Sequence, residues 1–232
     1  MPNYVLNKIE LTGNINAISA MLGKIQNDVY GKGTIDFMKI IPRSKDLDIE
    51  AGSCTYRGIR RIEELMEDYA KANDLDPKSV KYDDISENYI TEYRKEHPEV
   101  EKDEWNLGEK AIRNREKYGA PTWYEWDIQN WGSKWNACGY CEDTDYSRNT
   151  DYLEFETAWS APIPVIEKLA KDYPDVTFIH RWADEDLGYN CGIIGYENGR
   201  QFIPTTPDAY LDDFEFACEV WGYDPEEMKE YY

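Results

Sequence analysis

Cys138 and Cys141 form a Cys-x-x-Cys pair, the spacing in this sequence most suggestive of chemistry. Such a pair can supply two of the roughly four ligands of a zinc site, or a redox-active dithiol. No second Cys-x-x-Cys pair is present, and a polar, acidic loop follows the motif where a redox pair would open a helix. We therefore interpret both cysteines as free thiols, with a zinc or a redox role as the alternatives. The odd count of five scattered cysteines favours a reducing compartment over a disulfide framework.

Histidine, the usual general base, is scarce in this chain. His97 precedes a proline in a charged segment, and we interpret it as a solvated loop residue. His180 lies in a predicted strand with no serine or cysteine partner in evidence, which favours a structural role. The run Asp184-Glu-Asp186 lacks the calcium-loop pattern and is typical of an acidic turn. Because glycine-rich phosphate-binding motifs are also missing from the sequence, we predict no catalytic residues, no metal and no cofactor.

The segment Trp123–Trp135 contains four of the eight tryptophans of the chain. Since large aromatic side chains are mostly buried, we interpret this segment as the keystone of a core, with an aromatic binding surface as the alternative. Lys134 stands between Trp131 and Trp135, where its ammonium can lie against indole faces. The alternative is a ligand pocket or an enzyme site formed by Trp131, Lys134 and Trp135, beside the stretch 130–135.

The net charge of −21 on 232 residues would repel bare nucleic acid and anionic membranes. Such acidity either serves solubility or offers carboxylates to a basic partner. The segment 207–232 is the most acidic part, with nine acidic residues and one lysine. The predicted partner-binding carboxylates are those of Asp208, Asp212, Asp213, Glu215, Glu219, Glu226 and Glu227.

The composition is that of a globular protein, with 41% hydrophobic and 14% aromatic residues. No apolar run approaches the roughly 20 residues that span a bilayer, and the first residues do not resemble a signal peptide. We therefore expect a cytoplasmic protein.

Apolar periodicity predicts the elements that must position these residues. In the first half we expect a strand at 3–13, a helix at 15–27 capped by Asn14, and a strand at 34–41. A charged insertion with three helices follows, at 58–73, 86–96 and 103–117. The second half is predicted as a short helix at 122–130, a strand at 152–159, a helix to 172, strands at 176–182 and 189–197, and tail helices at 208–221 and from Pro225.

Two β-α-β units separated by an insertion predict an α+β fold with a ferredoxin-like split β-α-β sheet. The predicted domains are a ferredoxin-like domain at 1–57 and 118–206, a helical insertion at 58–117, and an acidic C-terminal helical tail at 207–232.

Several stretches of the chain resemble the Api92-like family, whose C-terminal part is called the YubB ferredoxin-like domain. They are Asn3-Tyr-Val-Leu-Asn-Lys-Ile9, Asp36-Phe-Met-Lys-Ile-Ile-Pro42, Trp123-Tyr-x-Trp126, Asn130-Trp-Gly-Ser-Lys-Trp135, Phe155 to Pro162, and Gly188 to Phe202. The resemblance implies a ferredoxin-like fold without an iron–sulfur cluster, and an origin in a phage, a plasmid or another mobile element. The family has no established activity, so the resemblance implies no catalytic residues.

Charge and resemblance together favour a non-enzymatic binding protein. We expect its partner to be a host protein with a basic surface, such as a nucleic-acid-binding effector of a defence system of CRISPR or restriction type. The protein would inhibit that effector by occupying its basic surface, and would itself bind neither nucleic acid nor membrane.

Overall fold

A computed structural model describes residues 3–206 and 211–231. The chain divides into two compact units. The sheet unit contains the residues up to Pro42 and those from Asp127 onward, and the helical unit runs from Arg43 to Trp126. The helical unit is wider than the predicted insertion at 58–117, because Ile49 already packs against its apolar cluster and its first long helix begins at Ser53.

The sheet unit is built on five antiparallel strands within the described residues. They are β1 (Tyr4–Gly13), β2 (Tyr152–Ala158), β3 (Val176–Asp184), β4 (Gly192–Glu197) and β5 (Arg200–Phe202), in the spatial order β2-β1-β3-β4-β5. Strands β2 and β3 flank β1 and are joined by one helix, Ile163–Asp172. This is a split β-α-β unit, and it confirms the predicted α+β, ferredoxin-like class.

The first predicted β-α-β unit forms only in part. Helix α1 (Ile15–Ile25) is present, and the side chain of Asn14 caps it as predicted. The strand predicted at 34–41 is wrong: the backbone makes a single 3-10 turn at Phe37–Lys39. Backbone amides that would pair with a neighbouring strand are instead hydrogen-bonded to side chains. The side chain of Asp36 accepts from the Met38 amide at 3.0 Å, and that of Asn136 accepts from the Phe37 amide at 2.8 Å.

One face of the sheet forms the main core. On β1, alternate residues point to this face, and their side chains are fully or almost fully buried: Val5, Asn7, Ile9 and Leu11. Phe155 of β2 and Phe178 of β3 are equally buried. Helices that contact the sheet contribute further buried apolar residues. They are Ile18, Met21, Leu22 and Ile25 from α1, and Val165, Ile166 and Leu169 from the helix Ile163–Asp172.

The opposite face of the sheet is covered at one end by the helix Asp213–Trp221. Its apolar residues Phe216 and Val220 pack in one cluster with Leu6 of β1 and Ala183 of β3. This helix was predicted to begin at 208; the structure begins it at Asp213, and residues 207–210 lie outside the described part of the chain. The predicted short helix that follows spans Pro225–Met228.

The three helices predicted for the insertion are confirmed and make up the helical unit. They are α2 (Ser53–Ala72), α3 (Glu87–Glu96) and α4 (Lys102–Tyr118). Helices α2 and α4 approach so closely that a Cβ atom on Gly108 would overlap the backbone of Gly58. The next helix along the chain is α5 (Trp123–Trp131). The remaining helices of more than three residues in the described part of the chain are α6 (Ile163–Asp172), α7 (Asp213–Trp221) and α8 (Pro225–Met228).

Candidate partner-binding surface

Trp131 is a core residue. Its side chain is 2% exposed, and its indole N–H donates to the carbonyl of Ile41 at 2.9 Å. Its ring packs against that of Phe37 in a T-shaped arrangement at a centroid distance of 5.8 Å. A tryptophan that fills a core and satisfies its one donor fits the keystone interpretation. Trp131 therefore offers no ring face to a pocket of the kind the alternative interpretation requires.

Gly132 makes the turn that carries the chain from Trp131 to Lys134. Its φ is +76°, and a Cβ atom there would lie 2.9 Å from Cδ of Pro164. Both the backbone conformation and the contact favour glycine. The next residue, Ser133, is buried and hydrogen-bonds the backbone of Ala158 at 3.3 Å. The segment is thereby fixed against the end of β2.

Lys134 lies against two indole rings. Its Nζ is 5.1 Å from the ring centroid of Trp135 and 4.6 Å from that of Trp159. Both distances are within the range of a cation–π interaction. The predicted pairing of Lys134 with an indole face is therefore observed at Trp135, and Lys134 also lies against the ring of Trp159.

Sequence reasoning missed Trp159. The residue follows β2 directly, and its side chain is 43% exposed. Its φ of +70° is a left-handed conformation that a bulky side chain rarely adopts. Nothing in the spacing of residues 134 and 159 indicates that they meet, because the contact depends on how the turn at Gly132 packs against β2.

A small hydrogen-bond network holds Trp159 in this conformation. Its N–H donates to the carbonyl of Asn3 at 2.9 Å, and its own carbonyl accepts from the side chain of Asn190 at 2.9 Å. Both asparagine side chains also donate to the carboxylate of Asp184, at 3.1 Å each. Asp184 is 6% exposed, so its charge organises this corner of the unit and is not available to a cation in solution.

Other carboxylates crowd the same edge of the sheet. The pKa of Glu156 is raised above its ordinary value, first by burial and then by repulsion from Glu185 and Glu154. Glu185 accepts a hydrogen bond from the amide of Tyr4 at 3.2 Å. This edge was not among the predicted sites, since its members are far apart in sequence.

Helices α7 and α8 carry the predicted partner-binding carboxylates that lie in the described residues. Asp212 caps α7 by accepting from the Glu215 amide at 2.9 Å. Asp213 and Glu219 are exposed, and Glu215 is half-buried. On α8, Glu226 pairs with Lys229 at 2.8 Å, and Glu227 is exposed. Asp208 lies outside the described residues.

The comparisons with known proteins bear on this part of the chain. Residues 131–232 match a family described as the ferredoxin-like domain in Api92-like protein. This part of the chain is similar to the ferredoxin-like domain of Api92-like proteins. None of the curated proteins compared with the chain matches it. Among solved structures, a protein api92 from Yersinia pseudotuberculosis is similar at 13% identity and a TM-score of 0.40, over 89% of this chain and 99% of that chain.

The matched stretch 131–232 includes the residues around Lys134 and Trp159 described above, apart from Asn3 and Tyr4. It includes Lys134, Trp135 and Trp159, the acidic edge and both tail helices. It also forms one wall of a groove of about 560 Å³ on the open face of the sheet. The groove is lined by Lys8, Glu10, Tyr152, Arg181, Leu211, Glu219 and Val220.

The two cations of this groove are paired with neighbouring carboxylates. Lys8 lies 3.6 Å from Glu154, and Arg181 donates to Glu10 at 2.8 Å. Because both cations are paired with carboxylates, the groove has little net positive charge to offer a ligand.

The thiol of Cys138 is not activated. Burial raises the pKa of Cys138, the opposite of the lowered pKa that a reactive thiol needs, and Cys141 is exposed. Within residues 3–206 and 211–231, no three His, Cys, Asp or Glu side chains are grouped so as to hold a metal ion. In the same described ranges, no helix is long and apolar enough to cross a membrane.

The histidines have structural surroundings. His180 is fully buried and donates from Nε2 to Oδ1 of Asn7 at 3.0 Å, an oxygen identified by the donation of the Asn7 amide nitrogen to Thr157. Burial lowers the pKa of His180 to about 3. His97 is half-buried instead of solvated as predicted: it stacks on Tyr93 at 4.2 Å, and its Nδ1 hydrogen-bonds the Tyr93 carbonyl at the end of α3.

The negative charge is concentrated in the sheet unit. That unit contains 26 acidic and 11 basic residues, a net charge of −15, whereas the helical unit contains 21 and 15, a net charge of −6. The acidic character of the chain is therefore mainly a property of the unit that includes the Api92-like part.

Proposed function

We propose that this chain is a non-enzymatic binding protein that engages a basic partner protein through the carboxylates of α7 and α8. The proposal rests on how α7 packs against the sheet and which of its side chains remain exposed. Phe216 and Val220 bury one side of the helix against the sheet, while the side chains of Asp213, at the start of the helix, and of Glu219 stay exposed. The carboxylates are thus displayed on a rigid support.

These carboxylates are available to a partner. Lys229, the single basic residue of the segment 211–231, is paired with Glu226. Within the described residues, Asp213, Glu219 and Glu227 have no ion-pair partner. Exposed charges on a folded helix lose little water until a partner arrives, so they contribute mainly to the association rate and to specificity.

The charge of the whole unit supports the same function. A net charge of −15 on the sheet unit attracts a basic surface over roughly a Debye length, about 10 Å at 0.1 M salt. The same field repels nucleic acid and anionic membranes, so the partner we propose is a protein and neither of those.

The biological setting of the proposal rests on the family. Api92-like resemblance implies a mobile element, and a basic surface in a host cell is commonly the nucleic-acid-binding groove of an effector. We therefore place the protein in the host cytoplasm, as a stoichiometric inhibitor that occupies such a groove in a defence protein. The neutral His180 and the thiol of Cys138, whose pKa is raised, support a role without catalysis.

The test is affinity purification from a host lysate with three versions of the protein. They are the wild type, a tail variant (Asp213→Asn, Glu219→Gln, Glu227→Gln) and a control variant (Glu67→Gln, Glu99→Gln, Glu142→Gln). The control variant also removes three negative charges, but from exposed positions outside the tail.

We expect the wild type and the control to retain one basic protein in stoichiometric amount at 50 mM salt, and to release it at high salt. The tail variant should retain roughly tenfold less of this protein, or none. Absence of any stoichiometric partner at low salt, or equal retention by the tail variant, would refute the proposal.

A further inference from the structure

We infer that Trp135 and Trp159 form a recognition site for an arginine or lysine side chain of the partner, and that Lys134 occupies this site in the free protein. The inference deepens the proposed function and rests on it for the nature of the partner. Two rings around one ammonium, at 5.1 and 4.6 Å, form a site of the size and chemistry that a cation requires.

The backbone at Trp159 supports a binding role for this residue. A φ of +70° is unfavourable for a tryptophan and suits glycine or asparagine better. Hydrogen bonds to Asn3 and Asn190 keep the residue there, and its ring is still 43% exposed. Backbone strain of this kind concentrates at binding and catalytic sites, where surrounding contacts hold it in place. An indole that is this exposed contributes little buried apolar area to the core, and part of its ring surface is accessible to a partner.

The surroundings of the two indoles favour a cation. The turn that provides Asn190 also contains Glu185 and Asp186, both exposed, and Tyr189 with a side chain that is 69% exposed. The acidic edge of Glu156 and Glu154 follows on β2, with Glu185 near enough to raise the pKa of Glu156. An approaching guanidinium or ammonium thus meets negative potential and aromatic surface together.

Arginine is the better occupant of such a site. Its guanidinium is planar, stacks on an indole face and is more weakly hydrated than the ammonium of Lys134. An incoming arginine can therefore compete with Lys134 for the faces of the two indoles. Lys134 acts as an internal competitor that keeps the aromatic surface covered until a suitable partner binds.

The test uses hexa-arginine and hexa-lysine peptides as probes, with affinity measured by calorimetry and contacts by the indole N–H signals in NMR spectra. Lys134→Gln removes the competitor, and Lys168→Gln is the matched control, since it removes one charge from an exposed lysine of the same unit. Trp159→Gly removes the ring while relieving the left-handed backbone, and Trp135→Ala removes the second ring. Thermal melting checks that each variant is folded.

We expect hexa-arginine to bind the wild type more tightly than hexa-lysine, and to shift the indole signals of Trp135 and Trp159. Lys134→Gln should tighten the binding of hexa-arginine by about two- to thirtyfold, the range of a lost cation–π contact, whereas Lys168→Gln should change it less than twofold. Each tryptophan variant should weaken binding at least fivefold. Equal affinities of the two lysine variants, or a folded Trp159→Gly protein that binds like the wild type, would overturn the inference.

The tail variant separates this inference from the proposed function. If the aromatic site is absent but the acidic tail binds, the tail variant weakens the binding of hexa-arginine and both tryptophan variants leave it unchanged. If the tail does not bind but the aromatic site does, the tryptophan variants weaken binding and the tail variant behaves like its three-charge control.

Discussion

Acid should destabilise this protein through His180. The ring is fully buried, and its pKa in the folded protein is about 3. In the unfolded chain the pKa of a histidine is about 6.5. Between these two values the unfolded state binds a proton that the folded state does not. The contribution of neutral His180 to stability is therefore complete above about pH 6.5 and is lost progressively as the pH falls towards 3.

The magnitude follows from the proton affinity of the unfolded state. At pH 5, about 1.5 units below the unfolded pKa, protonation of the unfolded histidine lowers the free energy of unfolding by about 2 kcal/mol. At pH 4 the loss is about 3 kcal/mol. Glu156 has the opposite sign: because its pKa is raised, its contribution favours folding at low pH and is lost as the pH rises. A comparison of variants is therefore needed to isolate His180.

The assay is urea unfolding at pH 7 and pH 5, followed by near-ultraviolet circular dichroism. His180→Gln keeps a donor for Asn7 and cannot take up the proton. Its free energy of unfolding should fall by about 2 kcal/mol less than that of the wild type between the two pH values. His97→Gln is the control, since it leaves His180 in place. If the wild type and His180→Gln lose equal stability, His180 is protonated or hydrated in the folded protein and the reasoning is refuted.

Three further substitutions test the packing. Trp131→Ala should lower the free energy of unfolding by about 3–5 kcal/mol, because it empties a core position and leaves the Ile41 carbonyl without its donor; a loss below about 1 kcal/mol in urea titrations would contradict the keystone role. Gly108→Ala should cost about 2 kcal/mol or more, since its Cβ overlaps the backbone of Gly58; an unchanged melting temperature would refute the close approach of α2 and α4. Asp212→Ala should cost about 1 kcal/mol through loss of the α7 cap, with faster amide exchange at Glu215; unchanged exchange would exclude the cap.

Elements with a strong local signal could be predicted from the sequence. The apolar spacing of Val165, Ile166 and Leu169 predicts α6. The pair Asn198-Gly199 is typical of a two-residue hairpin loop, and in the structure it joins β4 and β5 with φ values of +51° and +71°. Asn14 is read as a cap because its side chain acts on residues two and three positions later. Such effects are contained within a few residues.

The errors come from contacts between distant residues. The segment 34–41 has the composition of a strand, but Asn136, about a hundred positions later, takes the amide of Phe37. Likewise, Lys134 meets Trp159 only because Gly132 and Ser133 fix the chain against β2. The acidic tail, by contrast, is visible as composition, and the structure adds which of its carboxylates are exposed and which cap helices.

We propose that exposed carboxylates on α7 and α8 bind a basic protein. The most direct measurement is the affinity of the partner recovered from the lysate for the wild type and for the tail variant, at 50 and 300 mM salt. We predict that the wild type weakens steeply with salt, that the tail variant is weak at both concentrations, and that the three-charge control follows the wild type. Affinity that is independent of salt, or equal for the wild type and the tail variant, would contradict the account.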